Sequence, residues 1–562
     1  MIYSFLLAIA VLGLSILISL PLGKWMFKMM CPAPDLMGPA HRKVEGFFHK
    51  VIGRAAEADQ NWKQYTVSLL IFNTIMFVVV TGVLAFQQFL PLNPDGQKAI
   101  EGSLIFNTVT SFVTNTNLQH YSGESTLSYF SQLFGIMWLQ FVSAATGLAA
   151  VTAASRWLGG SRKRNNFYLD MCRATFLVIL PVAAIGATLL VLCGLPMTFD
   201  GAAVVHTLEG AVQTIARGPV AVEVIIKQLG TNGGGFFGPN STHPLENVGF
   251  YSNIIECISL VIIPMGCVWM FGMITKHRKH ALVIFAVMTA LCLVKLGCAI
   301  TFESEPAVAL HDLPVAEASN LEGKELRLGA GASPLWAVFT TCTSNGSVNS
   351  MHCSLNPLTG LIPLVGMWFN ITFGGIGVGF LGLFTYIIVG VFICGMMVGR
   401  TPEYLGKKVE TREMKYALPA LLMHPLCILG GMAIFCLIPA WGRDTVLNPG
   451  FHGFTEMLYE FTSSSANNGS GFEGLGDNTV PWNIACGLVM LIGRFIPIIF
   501  QLAICGSLFA KKEVPETVGT LKTDTALFGV VIGGTVVFIG ALLFLPVAVL
   551  GPIAEYLTTL VH

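Results

Sequence analysis

The sequence predicts an all-α polytopic membrane protein. Its ten transmembrane helices form four helix/pore-loop/helix repeats around a pseudo-fourfold pore, with one extra helix at each end. Three observations predict this fold class. Of the 562 residues 54% are hydrophobic and 11% are charged, whereas a soluble domain carries about 25% charged residues. Ten apolar runs are long enough to span a bilayer. Four short polar loops, rich in Gly and Asn, interrupt the chain between those runs at nearly even intervals.

The candidate spans each contain about 20 residues or more, which is the length that crosses a bilayer core. They cover residues 2–22, 66–90, 129–154, 175–195, 254–274, 281–302, 361–398, 417–441, 483–508 and 524–550. The first run lacks a basic start and a small-residue cleavage site, so we interpret it as a retained span and not a signal peptide. The predicted organisation is an N-terminal segment at 1–65, pore repeats at 66–156, 175–275, 281–400 and 417–510, and a C-terminal span at 524–562.

The four polar loops share an asparagine at a similar place in each repeat. They read Thr114-Asn115-Thr116-Asn117, Thr231-Asn232-Gly233-Gly234-Gly235, Ser344-Asn345-Gly346-Ser347 and Asn467-Asn468-Gly469-Ser470. When Asn115, Asn232, Asn345 and Asn468 are aligned, the spacings are 117, 113 and 123 residues. The segments before the loops, at 102–113, 220–229, 334–342 and 453–465, are long enough for short pore helices whose electronegative C-terminal ends point at the loops.

Charge distribution predicts the orientation of the chain. Most of the 31 Lys and Arg residues fall in alternate loops between the spans, and basic residues accumulate on the cytoplasmic side of a membrane. Both termini should therefore face outward, and all four polar loops should enter from the outside. The acidic stretch at about 302–334 is interpreted as a solvated extracellular excursion.

The composition of the loops suits a cation filter. Irregular backbone at membrane depth survives where it is buried in protein or lines a wet cavity. Glycine permits conformations that aim successive carbonyls inward, and rings of carbonyls can replace the hydration shell of an ion. The loops contain no ring of carboxylates, since Glu124, Glu246 and Glu473 lie beyond them. A neutral filter of this kind favours a large, weakly hydrated monovalent cation such as K+ over divalent cations.

Two features near the loops are candidates for a gate. Arg494 lies near the middle of the ninth span, where an arginine costs about 2.5–3.5 kcal/mol on insertion scales, so it should face a cavity or a partner. The alternative is a structural ion pair or a snorkelling side chain. The 361–398 run is too long for one straight helix, and its glycine-dense stretch at 372–379 predicts a break beside a transport site or close helix packing. Lys295 is interpreted as snorkelling.

Several function classes are disfavoured. The formal net charge is +0, which gives no sign of nucleic-acid binding. The fourteen cysteines show no CxxC pattern and are interpreted as small buried apolar residues, not as disulfides or metal ligands. The sequence has neither a GxxxxGK[ST] phosphate loop nor a DKTGT-type phosphorylation motif. If ATP energises transport, another subunit must hydrolyse it.

The motifs resemble one family closely, the potassium-binding A subunits of bacterial Kdp potassium-transporting ATPases. The resemblance covers essentially the whole length. It rests on SFVTNTN at 111–117, QLGTNGGGFFGPNSTHPLEN at 228–247, TSNGSVNS at 343–350, SSSANNGSGFEGL at 463–475 and GRFIPI at 493–498.

The resemblance implies a non-catalytic subunit of the bacterial inner membrane that captures K+ from outside and passes it sideways to a P-type ATPase B subunit. A C subunit, and often a small single-span F peptide, would complete the complex. K+ would be the transported ion, with no organic cofactor. The filter residues carried over are Thr114, Asn115, Thr116, Thr231, Asn232, Gly233, Ser344, Asn345, Gly346, Asn467, Asn468 and Gly469. The gate carries over to Gly374, Gly375, Gly377 and Arg494.

Two other functions compete with this interpretation. One is a self-sufficient Trk- or Ktr-like K+ channel or symporter, which shares the four-loop pore but uses ion gradients. The other is a structural membrane protein without an ion path, although such a protein offers no reason for four polar loops.

Overall fold

In this computed structural model the described residues are 2–32, 37–53, 58–160, 165–306, 320–399, 401–515 and 521–560. Within them, ten helices are long and apolar enough to cross a membrane, which confirms the predicted number. They are Ile2–Met30, Trp62–Ala85, Ser131–Leu158, Phe167–Leu192, Phe250–Ile274, Arg278–Glu303, Val378–Val398, Thr411–Leu437, Val480–Phe509 and Ala526–Thr559. Part of the predicted excursion at 302–334 lies outside the described residues, as do residue 400, the predicted end of the third repeat, and residues 1 and 562, the limits of the terminal segments.

The N-terminal helix α1 (Ile2–Met30) packs lengthwise on a later span and leaves a lipid-facing side of exposed apolar residues. A short helix, α2 (Pro39–Ile52), follows it and begins at a proline, whose fixed φ suits the first helical turn. Glu45 of α2 forms a 2.7 Å ion pair with Arg173, which attaches α2 to the body of the protein.

The first helix/loop/helix unit starts where Asn61 caps its own helix through the backbone N–H groups of Lys63 and Gln64. Its helices are α3 (Trp62–Ala85), the pore helix α4 (Gly102–Val113), a single turn α5 (Gly123–Thr126) and α6 (Trp138–Leu158). A π-helical segment, Ser131–Met137, leads into α6.

The second unit has the same order with an added β-hairpin. Its elements are α7 (Phe167–Cys172), the π segment Arg173–Ile179, α8 (Leu180–Leu192), strands β1 (Ala203–His206) and β2 (Val212–Ile215), the pore helix α9 (Val220–Leu229) and α10 (Phe250–Ile274). Both strands are largely exposed to solvent.

The third unit differs, because its second membrane helix is broken. Its helices are α11 (Arg278–Glu303), the pore helix α12 (Ala332–Cys342), α13 (Pro357–Phe369) and α14 (Val378–Val398). The non-helical residues 370–377 separate α13 from α14, which confirms the break predicted from the glycine-dense stretch.

The fourth unit and the C-terminal helices complete the chain. A two-residue pair of strands, β3 (Glu403–Tyr404) and β4 (Lys407–Lys408), precedes α15 (Thr411–Leu437), the pore helix α16 (Phe451–Ala466) and α17 (Val480–Phe509). The chain then runs through α18 (Ala526–Ala548) and a π segment, Val549–Ile553, into α19 (Ala554–Thr559).

The second helix of a unit lies closer to the centre than the first. In the first unit, 83% of the most apolar window of Ser131–Leu158 is buried, against 22% for Trp62–Ala85. In the second unit the shares are 78% for Phe250–Ile274 and 39% for Phe167–Leu192. The inner helices surround the polar loops, and the outer helices present apolar side chains to lipid.

Both ends of the described chain lie on the side where the pore helices begin. Near the N-terminus, Ser4 lies beside Gly331, the residue before α12. Near the C-terminus, Glu555 of α19 accepts a 2.7 Å hydrogen bond from His452 at the start of α16. We call this side the outer mouth, after the orientation that the charge distribution predicts.

Candidate ion-selectivity site

The four polar loops lie where the four pore helices end. The helices finish at Val113, Leu229, Cys342 and Ala466, so their C-terminal ends adjoin the loops, and their bounds agree with the predicted segments to within two residues. The C-terminal end of a helix carries a partial negative charge. Four such ends around one point favour a cation there.

The backbone repeats the same shape in each loop. Two residues per loop have positive φ, and they are Asn115 and Asn117, Thr231 and Gly233, Ser344 and Gly346, and Asn467 and Gly469. The N–H group between them donates to the carbonyl five residues earlier, at 2.8–2.9 Å, in Thr116–Ser111, Asn232–Lys227, Asn345–Thr340 and Asn468–Ser463. Four loops with different sequences therefore share one conformation.

This equivalence corrects the alignment of the first loop by one residue. By backbone position, Thr116 matches Asn232, and their separation is 116 residues instead of 117. Asn117 then occupies the place that glycine holds in the other three loops, with φ of 57°. The sequence-predicted set omitted Asn117. Its tolerance of left-handed backbone was the signal that could have found it.

The loops touch one another and close into a ring. A Cβ atom on Gly233 would collide with the carbonyl of Asn345, and one on Gly346 with the carbonyl of Asn468. A Cβ atom on Gly469 would collide with the carbonyl of Thr116. At the remaining junction, the side-chain amide of Asn115 donates to the carbonyls of Gly230 and Thr231, at 3.1 and 2.9 Å. Glycine is required where one backbone crosses so close to the next.

Side chains of the loops reach outward to the neighbouring unit. Asn345 Nδ2 donates to Lys227 O at 2.8 Å, and Asn468 Nδ2 donates to Thr340 O at 3.0 Å. Asn467 Nδ2 donates to the Thr116 hydroxyl at 2.9 Å. These bonds join consecutive units and fix the position of each loop backbone.

Thr114 is the first residue of the first loop and follows the last residue of α4. Its hydroxyl bonds the Thr116 hydroxyl at 2.7 Å and donates to Thr110 O at 2.9 Å. Thr114 therefore supports the loop through Thr116.

Several loop carbonyls lack a hydrogen-bond donor. Across the described part of the chain, no donor reaches the carbonyl oxygens of Asn115, Thr116, Asn232, Ser344, Asn345, Asn467 and Asn468. All these residues are buried. Buried backbone carbonyls are normally paired, so a group of unpaired ones suits the coordination of a desolvated cation.

The carboxylates near the loops do not line the ring. Buried Glu246 forms an ion pair with Lys227. Glu124 accepts a 2.8 Å hydrogen bond from Gly238 N, and partial burial raises the pKa of its carboxyl above the usual range. Glu473 accepts from the N–H groups of His352 and Cys353.

Residues 370–377, between α13 and α14, pass under the ring and contact all four units. Asn370 donates to Ala466 O at 2.9 Å and accepts from the Ser344 hydroxyl. Ile376 N donates to the Thr231 hydroxyl at 2.9 Å. Gly377, with φ of 75°, lies against the backbone of Gly147 in α6. The segment therefore lies directly beside the loops and is packed against all four units.

The predicted gate glycines all lie in this segment. The N–H group of Gly374 donates to Cys342 O at 2.9 Å, at the end of α12. A Cβ atom on Gly375 would lie 3.7 Å from side-chain atoms of both Ser344 and Thr231. The structure thus combines a helix break with close backbone packing, the two interpretations left open for 372–379.

Arg494 is also placed under the ring. It is buried in α17, and its guanidinium lies near Gly147 and 3.4 Å from Ser143 O. Among the described residues Arg494 has no ion-pair partner, so the alternative of a structural ion pair is not observed there. Its burial also excludes the other alternative, a side chain that snorkels to the membrane surface. An unneutralised guanidinium here repels cations.

Lys295 does not snorkel, and that interpretation was wrong. Its side chain is buried, and Nζ donates a 2.6 Å hydrogen bond to the Thr372 hydroxyl. The hydrogen bond fixes the ammonium group inside the protein, at the segment that passes under the ring. This contact could not be predicted from the sequence, because 77 residues separate Lys295 from Thr372.

A cavity of about 100 Å³ lies to one side of the ring, under the fourth loop. It extends from Asn467, Asn370 and Arg494 to Thr385 and Gln501, and α15 and α18 also line it. The cavity is displaced from the ring axis toward these helices.

Comparison with known proteins agrees with this geometry. Residues 9–557 match the family described as "KdpA: Potassium-transporting ATPase A subunit". The chain is 48% identical over 548 residues to the potassium-transporting ATPase potassium-binding subunit of Geobacillus kaustophilus, with 97% of each chain covered. Proteins with the same name from Parabacteroides distasonis and Bacteroides thetaiotaomicron are 47% and 46% identical, with 97% and 98% of each chain covered.

A solved structure shares the fold. The potassium transporter TrkH from Vibrio parahaemolyticus superposes with a TM-score of 0.51 at 14% identity, over 86% of this chain and 96% of that one. The family match spans nearly the whole chain. The chain belongs to the family of potassium-transporting ATPase A subunits.

Proposed function

We propose that this chain is the K+-binding and K+-selecting subunit of an ATP-driven potassium uptake complex. The observation that carries the proposal is the closed ring of four loops with unpaired, buried carbonyl oxygens. Carbonyl oxygens at the ends of four helix dipoles stabilise a monovalent cation without a carboxylate. The proposed filter comprises the twelve residues carried over from the family, together with Asn117.

The proposed ion path enters at the outer mouth and leaves sideways. Residues 370–377 and the guanidinium of Arg494 oppose passage along the ring axis. The off-axis cavity beside Asn467 supports a lateral exit toward α15 and α18. Gly374, Gly375 and Gly377 shape the segment, and Arg494 supplies the charge that a cation must avoid.

The chain is proposed to be non-catalytic and to need a partner. Its curated relatives are named as potassium-binding subunits of a potassium-transporting ATPase. We propose a P-type ATPase B subunit as the recipient of the ion, a C subunit and a small F peptide as further components, and no organic cofactor. We place the complex in a bacterial inner membrane, with the outer mouth and both termini extracytoplasmic and with the repeat limits at 66–156, 175–275, 281–400 and 417–510.

Purification of the tagged chain from its own membrane tests the proposal. A P-type ATPase chain should co-purify, and ATP hydrolysis by the complex should rise with K+ and much less with Na+. The isolated chain should bind Rb+ in competition with K+. A lone chain that conducts K+ through bilayers without ATP would overturn the proposal in favour of a Trk-like channel, and a chain that binds neither ion would exclude both.

A further inference from the structure

Three metal-ligating side chains converge at the outer mouth, away from the ring of loops. Cys353 lies in the turn His352–Ser354 that follows the third loop, and His452 and Glu456 lie one helical turn apart at the start of α16. The sequence interpretation treated the cysteines as small apolar residues. It could not detect this cluster, because 99 residues separate Cys353 from His452.

The spacing of the three ligand atoms suits one metal ion. Cys353 Sγ lies 3.2 Å from His452 Nε2 and 3.6 Å from Glu456 Oε1. The remaining distance, from Nε2 to Oε1, is 3.9 Å. The point equidistant from all three atoms lies about 2.1 Å from each, against zinc–ligand distances of about 2.0–2.3 Å. An ion can therefore bind with only small side-chain adjustments.

The surrounding groups hold two of the ligands in orientation. His452 Nδ1 bonds the carboxylate of Glu555 in α19 at 2.7 Å, which turns Nε2 toward the cysteine. Carboxylate–histidine–metal arrangements of this kind fix the imidazole tautomer in metal sites. Asn448 Nδ2 donates to Glu456 Oε1 at 2.7 Å.

One atom in the cluster has no partner. Glu456 is fully buried, and its Oε2 receives no hydrogen bond from the described residues. A buried carboxylate oxygen without a partner is costly, and a cation bound through both oxygens of Glu456 would satisfy it. His452 is partly exposed, with 19% of its side chain accessible, so an ion has a route from the outer solution.

A second cluster, formed by His120, Glu460 and Cys486, lacks these features. It is fully buried, and both ring nitrogens of His120 already have partners, Asn483 Oδ1 at 2.7 Å and Glu460 Oε1 at 3.0 Å. This arrangement is a satisfied hydrogen-bond network with no solvent-facing position.

We propose that Cys353, His452 and Glu456 form a binding site for a zinc-class divalent transition metal, with solvent as the fourth ligand. A thiolate and an imidazole select such ions over Mg²⁺ and Ca²⁺, which take oxygen ligands. The site is chemically unlike the loop ring, whose ligands are neutral carbonyls. It therefore does not compete for K+.

The bound ion joins parts of the protein that are distant in sequence. Cys353 belongs to the third unit, His452 and Glu456 to the fourth, and Glu555 to the last helix. Glu473, which follows the fourth loop, accepts a 2.9 Å hydrogen bond from Cys353 N. The site thus braces the outer mouth around two of the four loops, and the expected effect of the metal is stabilisation of the folded chain.

Cobalt titration of the purified full-length chain, in detergent with a phosphine reductant, tests the proposal. The wild type should bind one equivalent of Co²⁺ with a tetrahedral visible spectrum and a near-ultraviolet thiolate-to-cobalt band, and Zn²⁺ should displace it. Cys353→Ser should abolish the thiolate band. Glu555→Gln, which leaves all three ligands in place, should weaken binding about 10- to 100-fold. Zn²⁺ should raise the melting temperature of the wild type but not of Cys353→Ser.

Cys436→Ser is the matched control, because Cys436 is an exposed thiol in α15 outside the cluster. It should bind Co²⁺ like the wild type. Absence of the thiolate band in the wild type, its persistence in Cys353→Ser, or its loss in Cys436→Ser would each overturn the proposal. Rb+ binding by Cys353→Ser should equal that of the wild type, which shows that the variant is folded. Where Cys353→Ser does not fold, His452→Gln decides the same question through loss of tetrahedral Co²⁺ binding.

Discussion

Gly233, in the second loop, offers the sharpest test of the proposed filter. Gly233 has φ of 99°, and a Cβ atom built on it would lie 2.6 Å from the carbonyl carbon of Asn345 and 2.7 Å from that of Gly346. Ordinary contact begins at 3.4 Å. In Gly233→Ala the third loop must therefore retreat by at least about 0.8 Å, and by more to clear the nearer carbonyl oxygen of Asn345. Even the lower bound exceeds the ~0.5 Å within which a binding constellation has to be held.

The energetic cost follows from the same contact. Returning the third loop to its binding position against the new methyl group costs about 1–3 kcal/mol, the usual range for overpacking. Since 1.4 kcal/mol corresponds to a tenfold change in affinity, Gly233→Ala should weaken K+ binding about 5- to 150-fold. Gly233→Asp adds a charge and should also reduce discrimination between Rb+ and K+.

Gly210→Ala is the matched control. Gly210 also has positive φ, 85°, but a Cβ atom there would meet nothing within 4 Å. Both alanine variants carry the cost of a left-handed residue, about 1–2 kcal/mol, and only Gly233→Ala displaces a loop. The assays are Rb+ binding by the purified chain and the K+ concentration that half-stimulates ATP hydrolysis by the complex. Equal K+ affinity in the two variants, with unchanged Rb+/K+ preference, would refute the role of Gly233.

Four further changes have defined outcomes. Arg494→Gln should alter transport turnover with near-normal K+ affinity, and a loss of selectivity at normal flux would contradict the gate role. Lys295→Met breaks the contact with the segment under the ring and should cost about 1–3 kcal/mol of stability, read as a lower melting temperature. Lys227→Met leaves the buried carboxylate of Glu246 unpaired and should cost about 3–5 kcal/mol, and adding Glu246→Gln should recover most of the loss in thermal unfolding. Asn117→Gly should keep Rb+ binding within about twofold, because glycine suits positive φ, whereas weakening comparable to Gly233→Ala would show that the Asn117 side chain itself binds the ion.

The membrane helices and pore helices could be predicted because their causes are local. A span needs about 20 apolar residues, and that requirement can be read from composition within one segment. The break at 372–379 was predictable for a similar reason, since the glycines are adjacent in sequence. Boundaries differed mainly where polar helix ends continue beyond the apolar run, as at α1, which extends to Met30.

The first loop shows where sequence reasoning failed. The sequence alignment matched the loops by their asparagine side chains, whereas the proposed filter is defined by backbone position. By asparagine Asn115 matches the other loops, but by backbone position Thr116 does. Lys295 was misjudged, and the contacts of Cys353 were missed, for a different reason. Their partners lie 77 and 99 residues away in sequence. An interpretation based on charge and apolar character alone follows the commonest behaviour of each residue type, so it cannot detect such a specific contact.

The contrast between the ring and the region beneath it bears on the direction of transport. The four loops share one backbone conformation, so the ring treats an entering cation nearly equally on all sides. In the described part of the chain this equivalence ends below the ring, because the third unit has a broken second helix and the fourth presents Arg494. The proposed hand-over of the ion to a neighbouring subunit would use this asymmetry, because the ion must then leave the ring to one side. The off-axis cavity at Asn467, between the obstructing segment and Arg494, lies where that hand-over would begin.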